Sequence, residues 1–179
     1  MDTYQISDKR FALTYGENQI NRVVGEIAGK LNRELPPEGL VFMVVLNGAF
    51  MFASDLLKRI DRRAMVSFIK LSSYSGSSST GNVEELIGIN EKLEGKNVVV
   101  LEDIIESGAT LDRIVGKLTI HRPASVRIVT LFMKEGLHRG RRKPDYVGMS
   151  IPDDFIIGYG LDYNGFGRNY PFVCSLCRT

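Results

Sequence analysis

The sequence predicts an α/β fold with a central, mainly parallel, twisted sheet flanked by helices. Nearly continuous apolar runs of strand length occur at residues 40–46, 98–101 and 126–132, which is typical of strands buried on both faces. Between these runs, the segments 49–60 and 110–120 carry apolar residues three and four positions apart. Such alternation of strands and helices defines α/β architecture.

The first predicted helix covers residues 18–35, before the first apolar strand. Its apolar residues keep helical spacing: Ile20, Val23, Val24, Ile27, Leu31 and Leu35. Pro36 and Pro37 then end the pattern, because proline cannot continue a helix. We therefore expect an amphipathic helix that packs its apolar side against the sheet.

Two later segments differ in composition from these elements. Residues 72–82, with the sequence SSYSGSSSTGN, are almost wholly small and polar, which predicts a mobile loop rather than a packed element. After Pro144 the segments become shorter and richer in glycine, which suggests a small appendage on the sheet. No internal repeat is visible, and we expect residues 1–179 to form one domain.

Length and charge limit the possible classes of protein. With 179 residues and 44% hydrophobic content, the chain can bury one core of ordinary size. A net charge of +2 is too balanced to indicate nucleic acid or a membrane as the main partner. No apolar run approaches the roughly 20 residues of a membrane span, and residues 1–10 lack the apolar stretch of a signal peptide. These features predict a soluble cytoplasmic protein.

The two cysteines, Cys174 and Cys177, have the spacing of half a zinc site. No second pair accompanies them, and the histidines, His121 and His138, lie far away in sequence. Residues three apart on a strand face opposite sides of a sheet, which also disfavours a disulfide between them. We interpret both as reduced thiols with a structural role.

The most informative run is VVVLEDIIESGATL, residues 98–111. A buried strand leads to an acidic pair, a glycine-containing turn and a helix predicted to begin at Thr110. Helix N-termini offer unpaired amides to phosphate, so residues 106–110 predict a monophosphate cradle in which Gly108 allows close approach. Ser107 and Thr110 add hydroxyl donors, and Ala109 lies between Gly108 and Thr110.

The acidic pair of this run is Glu102 and Asp103. At the end of a strand, two carboxylates suit sugar hydroxyls or a Mg²⁺ ion that arrives with a pyrophosphate. The alternative interpretation is an ordinary capped connection between a strand and a helix. Against that alternative, the whole run resembles the signature with which type I phosphoribosyltransferases bind phosphoribosyl pyrophosphate (PRPP).

The resemblance extends to the hypoxanthine-guanine phosphoribosyltransferases over most of the chain. Leu46, Asn47 and Gly48 are similar to the pyrophosphate loop of that family, and Ser73 and Tyr74 match the dipeptide of its mobile loop. Residues 143–174 resemble its purine-binding and C-terminal region. The resemblance implies the family fold, with a small hood built from N- and C-terminal segments, and a cis Leu46–Asn47 peptide bond in at least one liganded state.

The same resemblance implies a role for each matched residue. Glu106 is implied to be the general base. PRPP ribose and 5'-phosphate are assigned to Glu102, Asp103, Glu106, Ser107, Gly108, Ala109 and Thr110. Pyrophosphate is assigned to Leu46, Asn47, Gly48 and Arg168. The purine is assigned to Lys134, Phe155, Ile156, Leu161 and Asp162. Mg²⁺ is assigned to Glu102, Asp103 and Asp162.

The implied reaction is purine salvage, in which PRPP and hypoxanthine or guanine give IMP or GMP and pyrophosphate. It implies Mg²⁺ as cofactor, no nucleic acid or membrane partner, and a homodimer or homotetramer. Two positions depart from the family: Asn47, where many relatives have lysine or arginine, and Glu106, where aspartate is usual.

Two rival readings stay open. Pyrimidine-operon attenuator proteins resemble phosphoribosyltransferases and bind RNA, and the basic run HRGRRK, residues 138–143, could be an electrostatic footprint for RNA. A solvated loop is the simpler interpretation, because no aromatic residue lies among these charges. The second rival keeps the enzyme class and changes the base to xanthine or a pyrimidine.

Overall fold

The structure is a computed structural model that describes residues 2–71 and 85–177, with the backbone alone at 85 and 86. Its strands are β1 (Thr3–Ile6), β2 (Lys9–Tyr15), β3 (Leu40–Val45), β4 (Ala64–Leu71), β5 (Glu85–Ile87), β6 (Asn97–Ile105), β7 (Ser125–Met133), β8 (Tyr146–Ser150), β9 (Ile156–Ile157) and β10 (Val173–Leu176). Its α-helices are α1 (Glu17–Glu34), α2 (Phe50–Leu57) and α3 (Ala109–Ile120).

The larger sheet has the strand order β5-β4-β3-β6-β7-β8. Pairing is parallel from β4 to β8, and β5 joins one edge in antiparallel orientation. The predicted central, mainly parallel sheet is therefore confirmed. Since all of β3 is buried, its unbroken apolar sequence LVFMVV is explained by helices on both faces.

Alternate residues of the central strands pack into two separate cores. Phe42 and Val44 of β3 face α1 and α2, whereas Val41 and Met43 face α3. This division follows from the two-residue period of a strand. Helix α1 ends at Glu34, with Leu35 as its C-cap, and the prolines that were predicted to stop it follow Leu35.

A second, smaller sheet has the order β1-β2-β10-β9 and joins the N-terminal and C-terminal segments. This sheet is the predicted hood. The predicted appendage after Pro144 is only partly correct, because β8 continues the main sheet beside β7. Of the described strands after Pro144, β9 and β10 belong to the hood.

Two predicted boundaries in the informative run are wrong. Strand β6 continues to Ile105 because Glu102 and Ile104 still pair with β7, so the acidic pair lies within the strand instead of beyond it. Helix α3 begins at Ala109, one residue before the predicted start, with Gly108 as its N-cap.

The structure tests some of the remaining predictions and leaves others untested. Cys174 and Cys177 are both free thiols, as expected, and Cys174 is buried. Within the described residues, no helix is long and apolar enough to cross a membrane, and a cytoplasmic location stays a prediction. The loop predicted at residues 72–82 lies outside the described part of the chain.

Candidate active site

The predicted site residues meet at the carboxyl ends of the parallel strands, where open α/β sheets bind ligands. A cavity of about 210 Å³ at this edge includes most of the predicted purine and pyrophosphate residues. The cavity is lined by Gly48, Asp103, Ile104, Glu106, Lys134, Phe155, Ile156, Leu161, Asp162 and Arg168. Residues that span more than a hundred positions of sequence are thus brought to one place.

A second cavity of about 120 Å³ lies at the start of α3. Of the predicted cradle residues, Glu106, Ser107, Gly108 and Thr110 line it, and Ala109 does not. Gly108 has φ +84°, and a Cβ atom there would lie 2.8 Å from Nε2 of His138. Only glycine therefore fits this turn without displacing the neighbouring loop.

The two acidic residues of β6 face different cavities. Glu102 lines the phosphate cavity and Asp103 lines the larger one, as expected for neighbours on a strand. Burial raises the pKa of Glu102 well above its usual range and raises the pKa of Asp103 to about 6. A bound cation or sugar hydroxyls would stabilise these buried carboxylates.

The predicted metal ligands are not gathered into one cluster. Asp103 and Asp162 line the same cavity, but Glu102 does not. In residues 2–71 and 85–177 no group of three or more His, Cys, Asp or Glu side chains is placed to hold a metal ion. Two carboxylates still fit Mg²⁺, because this ion keeps several waters and takes further oxygens from substrate phosphates.

Lys134 is the first residue after β7, and its backbone amide donates to the Ile105 carbonyl at 2.9 Å. Its side chain is only 6% exposed, and Nζ contacts Oε1 of Glu106 at 2.5 Å and Oδ1 of Asp153 at 3.2 Å. Burial alone would lower the pKa of Lys134, but the hydrogen bonds to the two carboxylates raise it overall. The cavity therefore contains a fixed cationic donor.

Asp153 contacts the predicted site residue Lys134, and this contact was not predicted from the sequence. It lies 19 positions from Lys134, and no local pattern marks it. The sequence IPDDF offers two adjacent aspartates, so only the three-dimensional contact identifies the one that pairs with the lysine.

The pyrophosphate segment packs directly against the purine segment. The Leu46–Asn47 peptide bond is cis in this structure. Arg168 donates from Nη1 to the Gly160 carbonyl at 2.6 Å and pairs through Nη2 with Oδ1 of Asp162 at 2.6 Å. Arg168 therefore ties the predicted pyrophosphate and metal residues together.

Phe155 is suited to stack on a flat ligand. It is 45% exposed although it lines the cavity, and the Tyr163 ring supports it edge-on at 5.8 Å. The Leu161 amide already donates to Gly158, and its carbonyl accepts from the Gly158 amide. Since a carbonyl has a second lone pair, Leu161 can still accept a hydrogen bond from a base, but its amide is engaged.

The basic run at residues 138–143 lies behind the phosphate turn. The Arg139 amide donates to the Ser107 carbonyl at 3.0 Å. The carboxylate of Asp112, in α3, accepts from the amides of Arg141 and Arg142. The loop is therefore fixed by its backbone.

Ser73 and Tyr74 lie outside the described residues, and their match to the mobile loop of the family stays a prediction.

The contact between Gly48 and Gly160 leads to a stability prediction. Gly160 has φ +101°, and a Cβ there would lie 1.9 Å from the Gly48 carbonyl oxygen. We expect Gly160→Ala to lower the free energy of unfolding by at least about 2 kcal/mol, measured by urea denaturation. The control is Gly25→Ala, in helix α1, where a Cβ meets nothing within 4 Å. That change should be neutral or stabilising, and equal stability of the two variants would contradict the packing explanation.

Comparisons with known proteins agree with this geometry. A family model of the phosphoribosyl transferase domain matches residues 15–164. The hypoxanthine-guanine phosphoribosyltransferase of Staphylococcus aureus is 38% identical over 161 residues, which cover 89% of this chain and 90% of that protein.

Solved structures give the same result. A hypoxanthine phosphoribosyltransferase from Staphylococcus aureus superposes with a TM-score of 0.87 at 36% identity, covering 93% of this chain and 91% of that one. A hypoxanthine-guanine phosphoribosyltransferase from Bacillus anthracis has a TM-score of 0.86 at 37% identity, covering 93% and 98%. The chain therefore belongs to the phosphoribosyltransferase family and, within it, to the hypoxanthine-guanine phosphoribosyltransferases.

Proposed function

We propose that this protein transfers the 5-phosphoribosyl group of PRPP to N9 of hypoxanthine or guanine, giving IMP or GMP and pyrophosphate. One observation carries the proposal: a phosphate cavity, a buried acidic pair and a cavity with a cationic donor and an aromatic platform adjoin at one sheet edge. Each of the two substrates, the sugar phosphate and the base, therefore has a cavity whose residues suit its chemistry.

The base would stack on Phe155 and accept a hydrogen bond from Lys134 at its 6-oxygen. A buried lysine can only donate, so the 6-amino group of adenine would face another donor. A site built around a required hydrogen bond discriminates strongly against analogues that cannot make it. We infer that 6-oxopurines are preferred.

The 5'-phosphate would bind the amides at the start of α3 and the hydroxyls of Ser107 and Thr110. Asp103 and Asp162 would hold Mg²⁺ with the pyrophosphate, while Arg168 and the backbone near Gly48 neutralise the leaving group. When bound, Mg²⁺ supplies positive charge that stabilises the departing pyrophosphate. Fixed charges and dipoles aimed at developing charge are usually the largest catalytic contribution.

Glu106 would accept the proton from purine N7 as N9 bonds to the sugar. Its carboxylate lines both cavities, so it lies between the predicted phosphate and base positions. No other carboxylate among the described lining residues is shared by the two cavities.

The test is to incubate the protein with PRPP, Mg²⁺ and one nucleobase at a time and to measure pyrophosphate release. We expect release with hypoxanthine and guanine, little with adenine, and loss of release when the metal is chelated. Release only with xanthine or a pyrimidine would correct the base. No release with any base, together with salt-dependent RNA binding in a shift assay, would instead favour the RNA-binding alternative.

We further propose that the protein forms a homodimer or homotetramer. Large apolar side chains remain exposed on β4 and at the start of α2, namely Phe50, Met65, Val66 and Phe68. Val66 and Phe68 lie two residues apart and therefore share one face of β4, and exposed apolar side chains grouped on one face are typical of interaction surfaces. Light scattering that shows a monomer at the assay concentration would overturn this proposal.

A further inference from the structure

The ammonium group of Lys134 is held by two carboxylates that come from different parts of the chain. Glu106 follows β6, and Asp153 lies in the segment between β8 and β9. The lysine is nearly buried, whereas the side chains of Glu106 and Asp153 are 53% and 64% exposed. The cation is therefore shielded from solvent, and its two partners are accessible to solvent.

An ammonium group has three N–H donors that rotate freely unless acceptors fix them. Contacts to Glu106 and Asp153 occupy two of these donors. With two donors held by acceptors on separate segments, the direction of the third is fixed as well. A fixed third donor is what recognition of a base oxygen requires.

The segment that carries Asp153 is itself anchored on both sides of the site. The Ile151 amide donates to the Met133 carbonyl at 2.9 Å, directly beside Lys134, and the Phe155 carbonyl accepts from the Leu176 amide of the hood at 2.8 Å. Asp153 therefore links the lysine to the short segment that also presents the Phe155 ring.

The two carboxylates cannot serve Lys134 equally during the reaction. A Glu106 that has accepted a proton is a neutral acid and no longer balances the ammonium charge. Of the other charged groups that line this cavity, Asp162 is paired with Arg168, and Asp103 is buried in β6. Asp153 is thus the acceptor that can remain with the lysine throughout.

We propose that Asp153 is a positioning residue for base recognition. It holds the Lys134 ammonium group in place to donate to the 6-oxygen of the purine, while Glu106 accepts the proton from N7. This role rests on the proposed function. It concerns the base alone, because neither Asp153 nor Lys134 lines the phosphate cavity.

The variant to test is Asp153→Asn, which keeps the size of the side chain and removes its charge. We expect the KM for hypoxanthine and guanine to rise about tenfold, the effect of weakening one hydrogen bond to a charged group, with the KM for PRPP within about twofold. Asp153→Glu should recover part of the loss because it restores the carboxylate.

The matched control is Asp61→Asn. Its side chain is 65% exposed and pairs with Arg62 away from the cavity, so it removes the same charge at the same exposure. Thermal unfolding of each variant beside the parent protein checks that the fold is retained. We expect the control to leave both KM values unchanged.

A double-mutant cycle separates positioning from general destabilisation. In a Lys134→Ala background, Asp153→Asn should have no further effect on the KM for the base, because the group on which it acts is gone. An additional tenfold loss there, or equal rises of both KM values in the single variant, would overturn the role of Asp153. A parent protein that uses no 6-oxopurine would overturn the proposed function and this role with it.

Discussion

Replacing Glu106 by glutamine is expected to lower turnover by about 10²- to 10⁴-fold, the usual contribution of a general base. Glutamine keeps the shape of the side chain and can still accept a hydrogen bond from Lys134, but it cannot take a proton from the purine. Because the change leaves the amides and hydroxyls of the phosphate cavity in place, PRPP affinity should be retained or improved.

The measurement is kcat at saturating PRPP and hypoxanthine, over the full pH range in which the protein is folded. The matched control is Glu94→Gln, whose side chain is 54% exposed and pairs with Arg122, close to the 53% exposure of Glu106. The control should keep parental turnover. Near-normal turnover of Glu106→Gln at every pH would mean that another group is the base.

The family resemblance leads us to expect aspartate at position 106, and the structure gives the extra methylene group of Glu106 a consequence. Oε1 of Glu106 reaches Nζ of Lys134 at 2.5 Å, and a side chain shorter by one methylene would not reach as far from the same backbone position. An error of about 1 Å in the placement of a catalytic group can cost on the order of a hundredfold in rate. The contact with the fixed ammonium group of Lys134 thus holds the longer side chain of Glu106 in one position.

The parts of the fold that the sequence predicted are those with strong local patterns. Strand β3 and the first half of β6 are continuous apolar runs, and α1 has a clear helical period followed by prolines. The hairpin of β1 and β2 was missed because its turn, Ser7 and Asp8, contains no glycine. Ser7 nevertheless adopts φ +55°, which few residues other than glycine, asparagine and aspartate favour.

Strand β4 was missed for a different reason. In its sequence AMVSFIKL, Val66 and Phe68 are exposed and Ser67 is buried. The polarity of a residue in this strand therefore does not indicate whether the residue is buried. The extension of β6 through Glu102 and Asp103 was missed because charged residues normally end a buried run. Pairing with β7 decides that boundary, and pairing between distant segments cannot be read from local sequence.

In the candidate site, too, the local motifs could be predicted from the sequence, and the contacts between distant segments could not. The phosphate turn is a continuous motif, and the structure gives it a cavity at the predicted residues. The contact of Lys134 with Asp153 and the approach of Gly160 to Gly48 join residues far apart in the chain. Such contacts depend on how the hood meets the sheet, which no single segment encodes.

Lys134→Ala should raise the KM for hypoxanthine and guanine by about 10- to 100-fold, since it removes a charged donor that, of the two substrates, would contact only the base. The KM for PRPP should change little, because Lys134 lies outside the phosphate cavity. Discrimination against adenine should weaken as well, because the donor that opposes its 6-amino group is absent. Steady-state kinetics with each base at saturating PRPP measures both effects.

A structural role for this buried lysine would give a different pattern. Its two partners, Glu106 and Asp153, are more than half exposed, so water can solvate them when the ammonium is removed, and the fold should survive the change. Lys134→Met is the control for packing, because it keeps the length of the aliphatic chain and removes only the charge and its donors. If Met restores parental KM values for the bases while Ala does not, Lys134 acts by filling space. If both variants weaken the bases and PRPP equally, the lysine supports the site as a whole and does not read the purine.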